Sequence, residues 1–222
     1  MSKPYFRYLP NFEYVNRLKE NKNISTYIQV KNLFKRGTLR EDIFQDLTYF
    51  SKYKVVGDER PDNVAYKIYG NQYLDWVVLL SNNIINYENE WPLSQASFNN
   101  YLYSKYVTDA NLNAVRYYKT NEVKDSLGRV VVPADLEVPS NYSVTFYDSG
   151  TGRSVTRASV TEVTNYDYEV ELDDAKRNIY LLKPDYISII TNDIEGELLY
   201  ERGSSQYISP TLARGENIRL YS

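Results

Sequence analysis

KYKVVGDERPDNVAYKIYGNQYLDWVVLLSN, residues 52–82, reads as a strand followed by two helices with very little chain between them. Residues 48–56 alternate through Tyr49, Ser51, Tyr53 and Val55, as one face of a strand does. Gly57 and Asp58 break that run. Pro61 stands where a first helical turn tolerates proline, because the missing N–H has no intrahelical acceptor there. Val64, Ala65, Ile68 and Tyr69 then recur at helical spacing, and Gly70 closes the helix as a left-handed C-cap. Asn71 is placed to cap a second helix whose apolar stripe is Tyr73, Trp76, Val77 and Leu80. Asn82 and Asn83 end it.

Upstream, residues 12–15 and 27–34 have strand character, and Thr38 is a candidate N-cap for a helix over 39–47. The irregular stretch 1–38 reads as an arm outside the core. Downstream, Ser94 is placed to cap a third helix carrying Phe98, Tyr101, Leu102 and Tyr106. The texture changes near residue 110. Segments 115–123 and 130–132 flank an Asp125–Gly128 turn, and 144–147 and 154–163 flank a second turn ending at Gly152. A helix over 166–178, a short strand over 179–182 and a last helix from Asp185 to about Tyr200 complete the pattern. The expected class is α+β, in three segments. These are a basic arm with a short helix (1–47), the strand–helix–helix centre (48–110), and a hairpin-rich region ending in a helix and tail (111–222).

The 222 residues include no cysteine and no histidine. That excludes disulfides, thiolate nucleophiles, Cys-ligated zinc, Ser-His-Asp triads and imidazole proton shuttles. The chain carries 24 Tyr beside 7 Phe and 2 Trp. Tyr joins an apolar ring to a hydroxyl that needs a partner when buried, so it serves cores and protein interfaces alike. The net charge of −3 is too mild for a nucleic-acid binder. It is unevenly spread: residues 1–54 hold 11 Lys and Arg against 5 Asp and Glu, and the remainder is net acidic. A basic leader on an acidic body suits docking on an acidic neighbour, or a solvated arm. The longest strictly apolar run, 76–80, falls far short of the roughly 20 residues that span a bilayer. With no apolar leader at the N-terminus, a soluble chain made in a cytoplasm is expected.

Carboxylate pairs are the remaining acid–base equipment. Glu88/Glu90 and Asp173/Asp174 are the clusters, but sequence neighbours point to different faces and do not supply a two-carboxylate cleft. The Gly150-Thr151-Gly152 run lacks the Lys-Ser/Thr ending of a phosphate loop and reads as a hairpin turn. Around Asp193 and Glu195, a calcium-loop register would put Arg202 where a bidentate carboxylate belongs. No catalytic, metal-binding or cofactor-binding residues are therefore assigned.

The run from Lys52 to Asp58, then Arg60-Pro61, Ile68-Tyr69-Gly70-Asn71 and Trp76 to Asn82, followed by Trp91 and Ser94-Gln95, resembles a LysM-type βαα unit. It resembles more closely still the baseplate wedge protein 53 family of contractile-tailed bacteriophages. The likeness covers about residues 48–100, with a weaker echo around 175–185. It implies a LysM-like core of Ile68, Tyr69, Gly70, Trp76 and Leu80. It also implies a structural virion subunit, present in multiple copies in the tail baseplate. Such a subunit joins wedge components and contacts other wedge and tail subunits, without cofactor, nucleic acid, membrane or catalysis. Trp91, Tyr101 and Tyr117 are the interface candidates. Secreted LysM domains bind peptidoglycan glycans instead, which makes a cell-wall-binding module the alternative. The loop Gly57-Asp58-Glu59-Arg60-Pro61 departs from the usual Gly-Asp-Thr of those domains.

Overall fold

A computed structural model describes residues 3–15, 27–203 and 206–215. Its strands and helices, in chain order, begin with β1 (Asn11–Val15), β2 (Tyr27–Lys31), α1 (Glu41–Phe44), β3 (Phe50–Lys54), α2 (Pro61–Tyr69), α3 (Asp75–Ser81) and α4 (Tyr87–Glu90). Next come α5 (Gln95–Tyr106), α6 (Asp109–Leu112), β4 (Val115–Thr120), β5 (Val123–Lys124), β6 (Val130–Val132), β7 (Glu137–Val138), β8 (Ser143–Asp148), β9 (Arg153–Ala158) and β10 (Val160–Thr164). The last are α7 (Asn165–Lys176), β11 (Asn178–Leu182), α8 (Ile187–Glu197), β12 (Tyr207–Ser209) and β13 (Leu212–Arg214). The class is mixed α+β, as expected.

The chain divides into two compact units. One comprises Met1–Glu90 and Asn178–Ser222; the other is Trp91–Arg177, inserted in sequence between those two parts. Neither junction coincides with the composition shift near residue 110. The physical reason is a long-range pairing: β11 lies antiparallel to β3 over five residues, from Asn178↔Lys54 to Leu182↔Phe50.

In the first unit, the β3–α2–α3 segment forms as its sequence predicts. Pro61 opens α2, and Gly70 closes it at φ +68° with its N–H donating to the Tyr66 carbonyl. Asn71 caps a 3-10 turn over Gln72–Leu74, which leads into α3. Val64, Ala65, Val77 and Val78 are fully covered and pack in the same unit as Leu181 and Leu182 of β11. The Asn82 side chain ties α3 to β11, donating to the Tyr180 carbonyl and accepting from the Tyr180 N–H. Tyr73 is exposed instead of buried, because the 3-10 turn rotates it away from the stripe it shares in sequence.

Three expectations about the ends of the chain are corrected. The described residues of the stretch 1–38 are no free arm: β1 pairs antiparallel with β2 and parallel with β13, and Leu9 and Val15 are buried. Residues 16–26 of that stretch lie outside the described residues. The last helix forms as α8, but the described part of the tail after it is not irregular: β12 and β13 give a sheet of order β12-β13-β1-β2. Thr38 caps nothing; its hydroxyl and its N–H both donate to the Glu197 carboxylate, and α1 starts later with Arg40 at the N-cap position.

In the second unit, β4 lies between β10 and β7. The two expected hairpins form as β5–β6 and β8–β9, with Gly128 and Gly152 at positive φ. Ser94 caps α5 by accepting from the Ser97 N–H. Thr164 and Asp167 make a reciprocal capping box at the start of α7. Trp91, Phe98, Leu102, Val123, Val132 and Val163 are among the buried apolar residues of this unit.

Candidate functional site

Glu169, on α7, is 3% exposed and sits where three side chains of α5 converge. Lys105 Nζ donates at 2.8 Å, the Tyr106 hydroxyl at 2.7 Å and the Tyr101 hydroxyl at 3.0 Å. Burial alone would raise this carboxyl, but the three donors outweigh it and hold the group below the usual glutamate range. Lys105 is raised by the same contacts. Each partner is committed to the others, so the cluster clamps α5 to α7 and keeps its charge internal.

Tyr101 keeps 40% of its surface in water while its hydroxyl is spent on Glu169. Tyr117, half-buried on β4, meets Tyr168 edge-on at 6.4 Å. The Arg116 guanidinium lies 4.0 Å from the centre of the Tyr168 ring. Trp91 is 2% exposed, so in this conformation its ring is covered and offers no surface to a partner. Asp173 accepts from the Leu93 N–H and from Arg177, and Asp174 pairs with Arg177.

In the first unit, Trp76 and Leu80 are buried. Ile68 and Tyr69 are half-buried, and Gly70 is exposed at its cap. The Tyr69 hydroxyl donates to the Leu182 carbonyl at 2.9 Å, binding α2 to β11, and burial raises its pKa. Glu59 sits in the turn between β3 and α2. It accepts from the Tyr53 hydroxyl, the Val56 N–H and Lys67, and so locks the strand–helix turn. Glu90 accepts from the Ile85 and Asn86 N–H groups at 2.6 and 2.9 Å, so its carboxylate is engaged in capping the loop before α4. Asp193 and Glu195 belong to α8, not to a calcium loop, and face Arg40 and Lys3 respectively.

Among the described residues of this unit, two clefts stand out. One, of about 650 Å³, is bordered by Tyr8, Tyr69, Ile187 and the Lys3–Glu195 ion pair. The other, of about 600 Å³, lies over Trp76 and between Tyr5, Phe6, Tyr73 and Tyr87. Sequence reasoning did not find it, because Tyr5 and Phe6 come from the stretch read as an arm. Burial lifts the Asp75 carboxyl in this cleft, and the nearby charge of Asp62 pushes the same way. Exposed Leu33 and Phe34 follow β2, beside Lys35, which donates to the Leu198 and Leu199 carbonyls. Among the described residues no group of three or more acidic side chains could hold a metal ion, and no helix is long and apolar enough to cross a membrane.

A protein-family model described as base plate wedge protein 53 matches residues 5–195. That span includes the whole inserted unit and the β3–α2–α3–β11 segment, and stops short of β12 and β13. Comparison with curated proteins finds no match.

Proposed function

The chain belongs to the phage base plate wedge protein 53 family, with a structural role in the tail baseplate, and on that premise we propose that it joins neighbouring wedge components through protein–protein contacts during tail assembly. The observation that carries this reading is the family match over residues 5–195. Surface chemistry supports it. Large apolar side chains stand in water at Phe6, Leu33, Phe34 and Leu47, where a partner surface could cover them. The β8–β9 hairpin pairs with no third strand among the described residues, so it has edges to offer a neighbouring chain. Tyr101 and Tyr117 remain the proposed contact residues of the inserted unit, while Trp91 needs a rearrangement before it can join them.

Within this proposal the β3–α2–α3–β11 segment is a LysM-like scaffold whose second strand arrives after the inserted unit. The order strand–helix–helix–strand and the antiparallel β3/β11 pair support that reading. Multiple copies per particle, assembly in the host cytoplasm, and independence from nucleic acid and membrane belong to the same proposal.

Co-expression with the other wedge subunits of the same phage, followed by sedimentation, tests it. The expected result is stoichiometric co-migration with wedge assemblies. A chain that sediments alone while wedges form, yet binds peptidoglycan sacculi saturably, would replace this reading with that of a cell-wall-binding module.

A further inference from the structure

The cleft over Trp76 has features that core packing does not require. Phe6 is 62% exposed and Tyr73 51%, so two rings at its border stand largely in water. Trp76 lines the cleft and is 5% exposed, yet its indole N–H has no acceptor among the described residues. A buried donor left without an acceptor costs about 1–3 kcal/mol, which a folded chain ordinarily avoids. The cleft's charged groups are Asp62, Asp75 and Arg60, and Arg60 already faces Asp62 at 3.3 Å. Its balance is therefore acidic, with Asp75 as the carboxylate that Arg60 does not offset.

We propose that this cleft binds an extended, proline-rich segment carrying a basic side chain, contributed by a partner protein. The proposal rests on the assembly function above and names the chemistry of one partner. Three arguments select this occupant. Flat aromatic walls take pyrrolidine rings, and a polyproline II segment is ordered before it binds, so little entropy is lost. Such a segment makes no internal hydrogen bonds and presents every carbonyl outward, so it can accept from the hydroxyl of Tyr73, which stands half in water at the border of the cleft. A helix spends all but its last few carbonyls on itself. A lysine or arginine beside the prolines meets Asp75, whereas a peptidoglycan strand would bring carboxylates towards Asp62 and Asp75.

The test is fluorescence anisotropy of a labelled decaproline with one arginine at each end, titrated with the full chain. The controls are the same peptide without arginine and a peptidoglycan tetrasaccharide as competitor. Saturable binding is expected, weakened about tenfold or more by Tyr73→Ala, whose side chain is exposed and whose loss leaves the core intact. Asp75→Asn is expected to weaken the arginine-bearing probe and not the plain one. Absence of binding, binding indifferent to Tyr73→Ala, or displacement by the tetrasaccharide would each overturn the proposal. The same wild-type preparation is also mixed with wedge subunits. Incorporation without probe binding removes only the cleft assignment, and failure to incorporate removes the assembly reading itself.

Discussion

Replacing Glu169 with glutamine removes one charge and keeps the shape of the side chain. In the native protein Oε1 accepts from Lys105 and Tyr106, and Oε2 accepts from Tyr101. A glutamine oxygen can keep the first two bonds, but as neutral ones. Its amide then points hydrogens at the Tyr101 hydroxyl, which must turn to accept. Weakening charge-assisted bonds to neutral ones costs about 0.5–1 kcal/mol each. Loss of the ion pair adds less than about 1 kcal/mol, because the Lys105 side chain is 43% exposed and already partly solvated. The sum is about 2 kcal/mol, which for a chain of this length lowers Tm by about 4–8 °C. Scanning calorimetry at pH 7 measures it. The pH dependence has a definite sign. The native carboxyl is held below its ordinary value. Its contribution is therefore complete above about pH 4.3 and is lost as pH falls through the lower, folded-state value. The gap between wild type and Glu169→Gln should narrow only in that acid range. A gap under about 1 °C at pH 7, or one equally wide at pH 3, would refute the clamp.

Leu182→Ala empties a fully buried position on β11 and should cost about 3 kcal/mol, read as a lower urea midpoint at unchanged slope. Gly70→Ala places a Cβ at φ +68° and should cost about 1 kcal/mol, seen as a small drop in Tm with unchanged far-UV circular dichroism. Trypsin should cut after Lys31 and Lys35 much more slowly in the isolated native chain than in urea, because both ammonium groups are bonded to backbone carbonyls at 2.7 Å. Equal rates would restore the picture of a free arm.

Local chemistry was legible where it acts within one or two turns of chain. Pro61 and Gly70 bracket α2, Ser94 starts α5, and the glycines at 128 and 152 turn the two hairpins. Features that depend on distant partners were not. The parallel pairing of Asn11↔Leu212 leaves no sign in either segment, since strand periodicity says nothing about who the neighbour is. The basic character of residues 1–54 suggested solvation, yet Lys31 and Lys35 reach carbonyls of their own unit. Glu169 gave no signal at all: a glutamate in an acidic helix reads as surface until the tyrosines and lysine of α5 are placed over it. The unsatisfied indole of Trp76 was likewise invisible, because sequence predicts burial and not the fate of a single N–H.

The pairing of Ser51 with Leu181, 130 residues apart, has a consequence for synthesis. At about 5–20 residues per second, a ribosome needs roughly 6–26 s after making β3 before its partner strand exists. Throughout that interval β3 has an open edge, and α2 and α3 lack the strand they pack against. The inserted unit is complete at Arg177, before β11, α8, β12 and β13 have been made, so it can fold while the unit around it waits for them. A premature stop within β11 would release a chain with a finished insert and an unfinished scaffold. The scaffold closes only on nascent chains that have been translated at least as far as β11.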